Sequence, residues 1–142
     1  MRPLELVLNG FRSYADETRF DWRDRHLIGV VGPIGSGKSS ILDAIAFALF
    51  GRTPSFERDT RALINQRRTL AQVSLTFRVD AQAWQVVRAI RQTGQGNHAL
   101  YPFDEATGEA NQGAAVTGQR AVTERVTHIL GLDFDAFRRS VL

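Results

Sequence analysis

The chain has 142 residues, a formal charge of +3 and no cysteine, which excludes disulfides and the common cysteine-based zinc sites. Its 43% hydrophobic and 23% charged content is that of a globular domain able to bury about two-thirds of its unfolded surface. No apolar run reaches the roughly eighteen residues a transmembrane helix needs, and Glu5 stands where a signal peptide would be apolar, so a cytoplasmic location and no membrane contact are expected.

In chain order, Leu4, Leu6 and Leu8 alternate with other residues and predict a strand over 3–9. Asn9-Gly10 marks a bend, and a second short strand fits Thr18 to Trp22. Leu27-Ile28-Gly29-Val30-Val31 is a continuous apolar run, suited to a strand buried on both faces of a parallel α/β sheet. A glycine loop follows, then a helix from Lys38 to Phe50 closed by Gly51. Residues 52–70 are arginine-rich and irregular, with room for a short helix or turn. Val73, Leu75, Phe77 and Val79 give a strand that turns through 80–83 into another over Trp84 to Ile90. A loop over Gln92 to His98 leads to an edge strand at Ala99 to Phe103, restricted by Pro102. Residues 104–116 read as loop, Thr117 as the cap of a helix to Leu130 ended by Gly131, and Asp133 as the start of a last short helix. Ser140-Val141-Leu142 stops on apolar residues, which predicts a fragment cut where a new strand begins. Such a fragment is expected to expose an unpaired edge and a large apolar patch.

The loop Gly32-Pro33-Ile34-Gly35-Ser36-Gly37-Lys38-Ser39 matches the phosphate-loop pattern in full. Its glycines let the backbone approach phosphates closely, with N–H groups turned inward at a helix N-terminus. Lys38 is the only lysine in a chain that otherwise uses arginine, and a compact ammonium fits such a loop better than a planar fork. The expected ligand is ATP with Mg²⁺. Lys38 would meet the β- and γ-phosphates, the Ser39 hydroxyl the Mg²⁺, and Ser40 the α-phosphate. No guanine-reading motif is present, which favours ATP over GTP.

Hydrolysis also needs an acid on a second strand to hold Mg²⁺ and a group that positions water. The nearest candidate, Asp104-Glu105 after Ala99–Phe103, reads as a loop, while Asp133 and Asp135 read as helix-cap residues. The chain is therefore expected to bind nucleotide without completing a catalytic site. Arg52, Arg58, Arg61, Arg67 and Arg68 read either as a solvated surface or as a DNA-facing patch. His26, His98 and His128 show no metal spacing.

Phe11-Arg12-Ser13-Tyr14, the phosphate loop, the run Ile41 to Gly51 and the tail Gly131 to Leu142 together resemble the N-terminal ATPase segment of SbcC. SbcC is the bacterial member of the double-strand-break-repair ATPases related to the SMC proteins. The resemblance implies an α/β P-loop NTPase fold. Residues 1–142 would be the N-terminal lobe of an ABC-type head: a mixed sheet with an antiparallel β subdomain and the P-loop helix. It implies partners as well: a C-terminal lobe of the same full-length chain beyond a coiled coil, a second head, an SbcD-type nuclease and DNA. It places Arg12 near the phosphates or base and Ile64 near the base. Ile34 departs from the pattern, since these heads often carry Asn there. A RecF-like repair head, a small self-contained phosphotransferase and a non-catalytic interaction domain are the alternatives. The run Ala46 to Gly51 favours SbcC over RecF.

Overall fold

The computed structural model describes residues 1–24, 38–54, 56 and 59–141, and for 38, 39, 140 and 141 the description is of the backbone. Its strands are β1 (Arg2–Asn9), β2 (Thr18–Asp21), β3 (Leu70–Val79), β4 (Gln82–Arg91), β5 (Asn97–Asp104), β6 (Glu109–Ala110) and β7 (Val116–Thr117). Its helices are α1 (Lys38–Phe50), α2 (Gln119–Leu130) and α3 (Phe134–Val141), with 3-10 turns at Thr60–Leu63 and Gln112–Ala114. The sheet runs β2-β1-β3-β4-β5-β6, with β7 also on the outer edge of β5, and every pairing among the described strands is antiparallel. The expected strand at 27–31, on which a parallel element rests, lies outside the described residues.

Alternation sets the face that carries the core. Register places Leu6 opposite Leu75, Leu75 opposite Val86, and Val86 opposite Leu100, a row across four strands with each side chain fully buried. Helix α1 packs on this row with Ala44, Phe47 and Ala48, and Val122 and Val126 of α2 join the same core. α1 ends where Gly51 takes φ 73 and donates its N–H to the Phe47 carbonyl at 2.7 Å. Asp133 caps α3, its Oδ1 accepting the Ala136 N–H at 2.9 Å.

Several sequence expectations need correction. Asn97 and His98 belong to β5, which is an inner strand rather than an edge. Pro102 is tolerated there because its ring nitrogen faces the gap between β6 and β7, while its carbonyl on the same side accepts the Asn111 N–H at 2.8 Å. Residues 104–116 contain β6, a 3-10 turn and the start of β7, so Thr117 sits in a strand and Gly118, at φ 98, precedes α2. The tail is helical rather than the start of a strand. Phe134, Phe137 and Val141 recur at helical spacing, and the first two pack on Phe50 with ring centroids 5.9 and 5.3 Å away. Among the described residues Met1 is the large apolar side chain left exposed.

Candidate functional site

The turn after β1 is built by backbone bonds. Phe11 N–H donates to the Tyr14 carbonyl at 2.9 Å and Tyr14 N–H returns the bond to Phe11 at 2.8 Å, closing a four-residue turn over the buried Phe11 ring. Arg12 sits inside it at φ 46, a left-handed conformation that costs a non-glycine residue about 1–2 kcal/mol. Distant chain holds it there: Arg12 N–H donates to the Leu63 carbonyl at 2.7 Å, and the Asn65 side-chain amide donates to the Arg12 carbonyl at 2.5 Å. Asn65 N–H in turn reaches the Gly10 carbonyl at 2.8 Å.

Two side-chain contacts fasten this turn to the start of α1. Ser13 Oγ lies 2.9 Å from Ser40 Oγ, and Arg12 Nη1 pairs with Asp43 Oδ2. The Phe56 ring lies 5.2 Å from the Arg12 guanidinium carbon, within cation–π range. Asp43 is only 5% exposed. Burial pushes its carboxyl above the usual value, and the Arg12 guanidinium pulls in the opposite direction.

Of the residues singled out from sequence, Gly32, Pro33, Ile34, Gly35, Ser36 and Gly37 lie outside the described residues. Lys38 and Ser39 open α1. Ser40 is buried against Ser13, and Arg12 is brought to the same end of α1 through Asp43. Ile64 is 5% exposed and bridges Phe11 through the backbone, so its side chain belongs to the core. Asp43 and Asn65 escaped the sequence reading. The one signal that could have found Asp43 is an acid interrupting the apolar run from Ile41 to Phe50.

A second polar cluster holds the far end of the same helix. The fully buried Arg88 of β4 donates from Nε to the Ala48 carbonyl at 2.8 Å and from Nη2 to the Leu49 carbonyl at 3.1 Å. It also reaches Thr123 Oγ1 at 3.0 Å and His98 Nδ1 at 3.1 Å. Burial lowers its pKa to about 10, so it stays charged at neutral pH and meets the negative end of the α1 dipole. His98 is lowered to about 4, by burial and then by the Arg88 charge.

The remaining candidates are otherwise engaged. Glu105 is held by Arg78 through two 2.9 Å bonds, and Asp104 Oδ1 accepts the Ala106 N–H at 2.9 Å. Among the described residues no cluster of three His, Cys, Asp or Glu side chains has metal-binding geometry. Arg52 lies over the Phe134 ring at 4.2 Å and Arg68 pairs with Asp16, so these two are tied to separate elements, while Arg61 and Arg67 are exposed and Arg58 is outside the described residues. No helix among the described residues is long and apolar enough to cross a membrane.

The family model described as an AAA domain matches residues 5–140. The SbcC subunit of the SbcCD nuclease of Deinococcus radiodurans is 37% identical over the whole chain, which covers 16% of that protein. Its namesake in Bacillus subtilis is 32% identical over the whole chain, covering 13% of it. The "DNA double-strand break repair Rad50 ATPase" of Methanocaldococcus jannaschii is 31% identical over 96% of this chain and 12% of that one. The chain therefore spans less than a fifth of the length of these relatives. Among solved structures, the SMC head domain from Thermotoga maritima superposes with TM-score 0.56 at 28% identity, covering 79% of this chain and 39% of that one. The architecture is that of a P-loop ATPase head.

Proposed function

Because the chain belongs to the AAA domain family, whose model spans nearly all of it, we propose that it is the ATP-binding lobe of an SbcC-type ATPase acting in DNA double-strand-break repair. Residues Gly32 to Ser39 cradle the phosphates, Lys38 bridges the β- and γ-phosphates, and Ser39 holds Mg²⁺. Arg12 approaches the same phosphates from the turn after β1, Ser40 reaches the α-phosphate, and the loop near Ile64 meets the base. In this reading residues 1–142 are an N-terminal lobe. A C-terminal lobe of the same chain completes the head, a second head completes the ATPase site, an SbcD-type nuclease and DNA are its partners, and the cell interior is its location. The lobe alone binds MgATP without turning it over. The observation that carries the reading is the double fastening of the Arg12 turn to α1, through Arg12–Asp43 and Ser13–Ser40, beside the helix end where the phosphate loop enters.

The test is an equilibrium titration with MgATP on the native chain and on Lys38→Ala, beside a turnover assay. Losing a charge-assisted phosphate contact costs on the order of 1.5–3 kcal/mol, roughly ten- to a hundredfold in affinity. Binding that depends on Lys38 with negligible turnover by residues 1–142 supports the reading. Robust turnover by these residues alone replaces it with a self-contained phosphotransferase.

A further inference from the structure

An acid buried beside a polyanion site is electrostatically adverse. It repels phosphate, and it has lost most of its own hydration. Asp43 is in that position. It lies four residues beyond Ser39 on the same face of α1, about 6 Å along the axis from the residue proposed to hold Mg²⁺. Among the described residues, the cation that compensates it is Arg12.

Both ends of that arginine are fixed. The root is set by the left-handed backbone at φ 46, held between Leu63 and Asn65. The tip is set by Asp43 at Nη1, with the Phe56 ring 5.2 Å away, and Ser13–Ser40 keeps the turn at a constant spacing from α1. An ion pair serving stability alone needs no strained backbone at the arginine. A guanidinium that has to be aimed does, because a free arginine loses rotamer entropy when a ligand immobilises it. Asp43 takes one edge of the fork, and the guanidinium carries further donors for an anion.

We propose that Asp43 is a positioning residue for the nucleotide. It aims the Arg12 fork at the phosphates and pre-orders it before ligand arrives. This rests on the reading that Arg12 meets the nucleotide, and it adds a residue on the P-loop helix that acts through another side chain.

The experiment is a double-mutant cycle on the chain as the cell makes it, read as the dissociation constant of a fluorescent ATP analogue with Mg²⁺. The cycle comprises the native protein, Arg12→Ala, Asp43→Asn and the double variant, with Asp43→Glu as the charge-retaining control. Asp43→Asn is expected to weaken binding about tenfold when Arg12 is present. With Arg12→Ala it should not weaken binding at all, because the unpaired carboxylate then only repels phosphate. Asp43→Glu is expected to recover part of the loss. Equal weakening in both backgrounds, or no effect of Asp43→Asn where Arg12→Ala does weaken binding, overturns the role of Asp43 and leaves the Arg12 reading standing. Unchanged affinity in Arg12→Ala removes the Arg12 reading and this inference with it. Ligand-free melting of each variant separates lost folding from lost aim. If Asp43→Asn does not stay folded, Asp43→Glu with Arg12→Lys carries the same cycle, and additive effects there overturn the proposal.

Discussion

Arg88 Nη1 lies 3.1 Å from His98 Nδ1, so a buried guanidinium donates to an imidazole lone pair and requires that ring to be neutral. Protonating His98 would set two cations against each other between β4 and β5. The folded pKa of about 4 lies below the ordinary 6.5, so the folded state binds this proton more weakly than the unfolded chain. The associated stability is fully present above about pH 6.5 and is lost as pH falls toward 4. In His98→Asn the amide oxygen replaces the acceptor and nothing titrates. The melting temperature of the native protein is expected to drop relative to this variant between pH 6.5 and 4. A constant difference across that window would refute the assignment.

Arg88→Met keeps an unbranched, flexible stem, loses the guanidinium end and removes every donor. The carbonyls of Ala48 and Leu49 lose their cap in a buried site, at about 1–3 kcal/mol for each group left unpaired. For a domain of this size that converts to a melting-point loss of roughly 5–15 °C. Differential scanning calorimetry measures it directly. Arg88→Lys should recover little, since one ammonium cannot span four acceptors on α1, α2 and β5.

Gly51→Ala tests the same corner from the opposite side. Its φ of 73 disfavours any side chain by about 1–2 kcal/mol, and an added Cβ would sit 3.1 Å from Arg88 Nη1. The substitution is expected to destabilise by more than the backbone penalty alone in the native background. In Arg88→Met the cost should fall back toward that penalty. Chemical denaturation of the four combinations gives the coupling.

The exposed Arg78–Glu105 pair should behave differently. Despite its two 2.9 Å bonds, both side chains are roughly a third or more exposed, and surface pairs contribute about 0–1 kcal/mol. Glu105→Gln is expected to move the denaturation midpoint by less than any substitution at Arg88 and to leave nucleotide affinity unchanged. A large loss of affinity would instead restore Glu105 as a magnesium-binding acid.

Much of this architecture was legible because period carries the information. The alternating Leu4-Leu6-Leu8 and Val73-Leu75-Phe77 patterns gave β1 and β3, and positive-φ glycines ended α1 and α2 where Gly51 and Gly131 stand. The short strands β6 and β7 were illegible because two-residue strands have no period and are defined by partners on β5. β5 read as an edge because Pro102 lacks a donor, and only the tertiary gap beside it makes that lack harmless. The phosphate loop was visible as a motif. The residues that hold Arg12 were not, since Asp43 and Asn65 act on it across 31 and 53 residues of chain. Arg88 carries no signal of its own in the sequence, because nothing local distinguishes a cation that caps a helix from another strand.

The bond from the Arg12 amide to the Leu63 carbonyl has a consequence in time. It joins segments that are close in space and far apart in sequence, so the chain must close a loop of that length before the bond can form, and long closures come late in folding. The Arg12 amide proton is thus a built-in clock for the site. Pulse-labelled during refolding, it should gain protection only after the β3–β4 hairpin amides have done so, because that hairpin closes a far shorter loop.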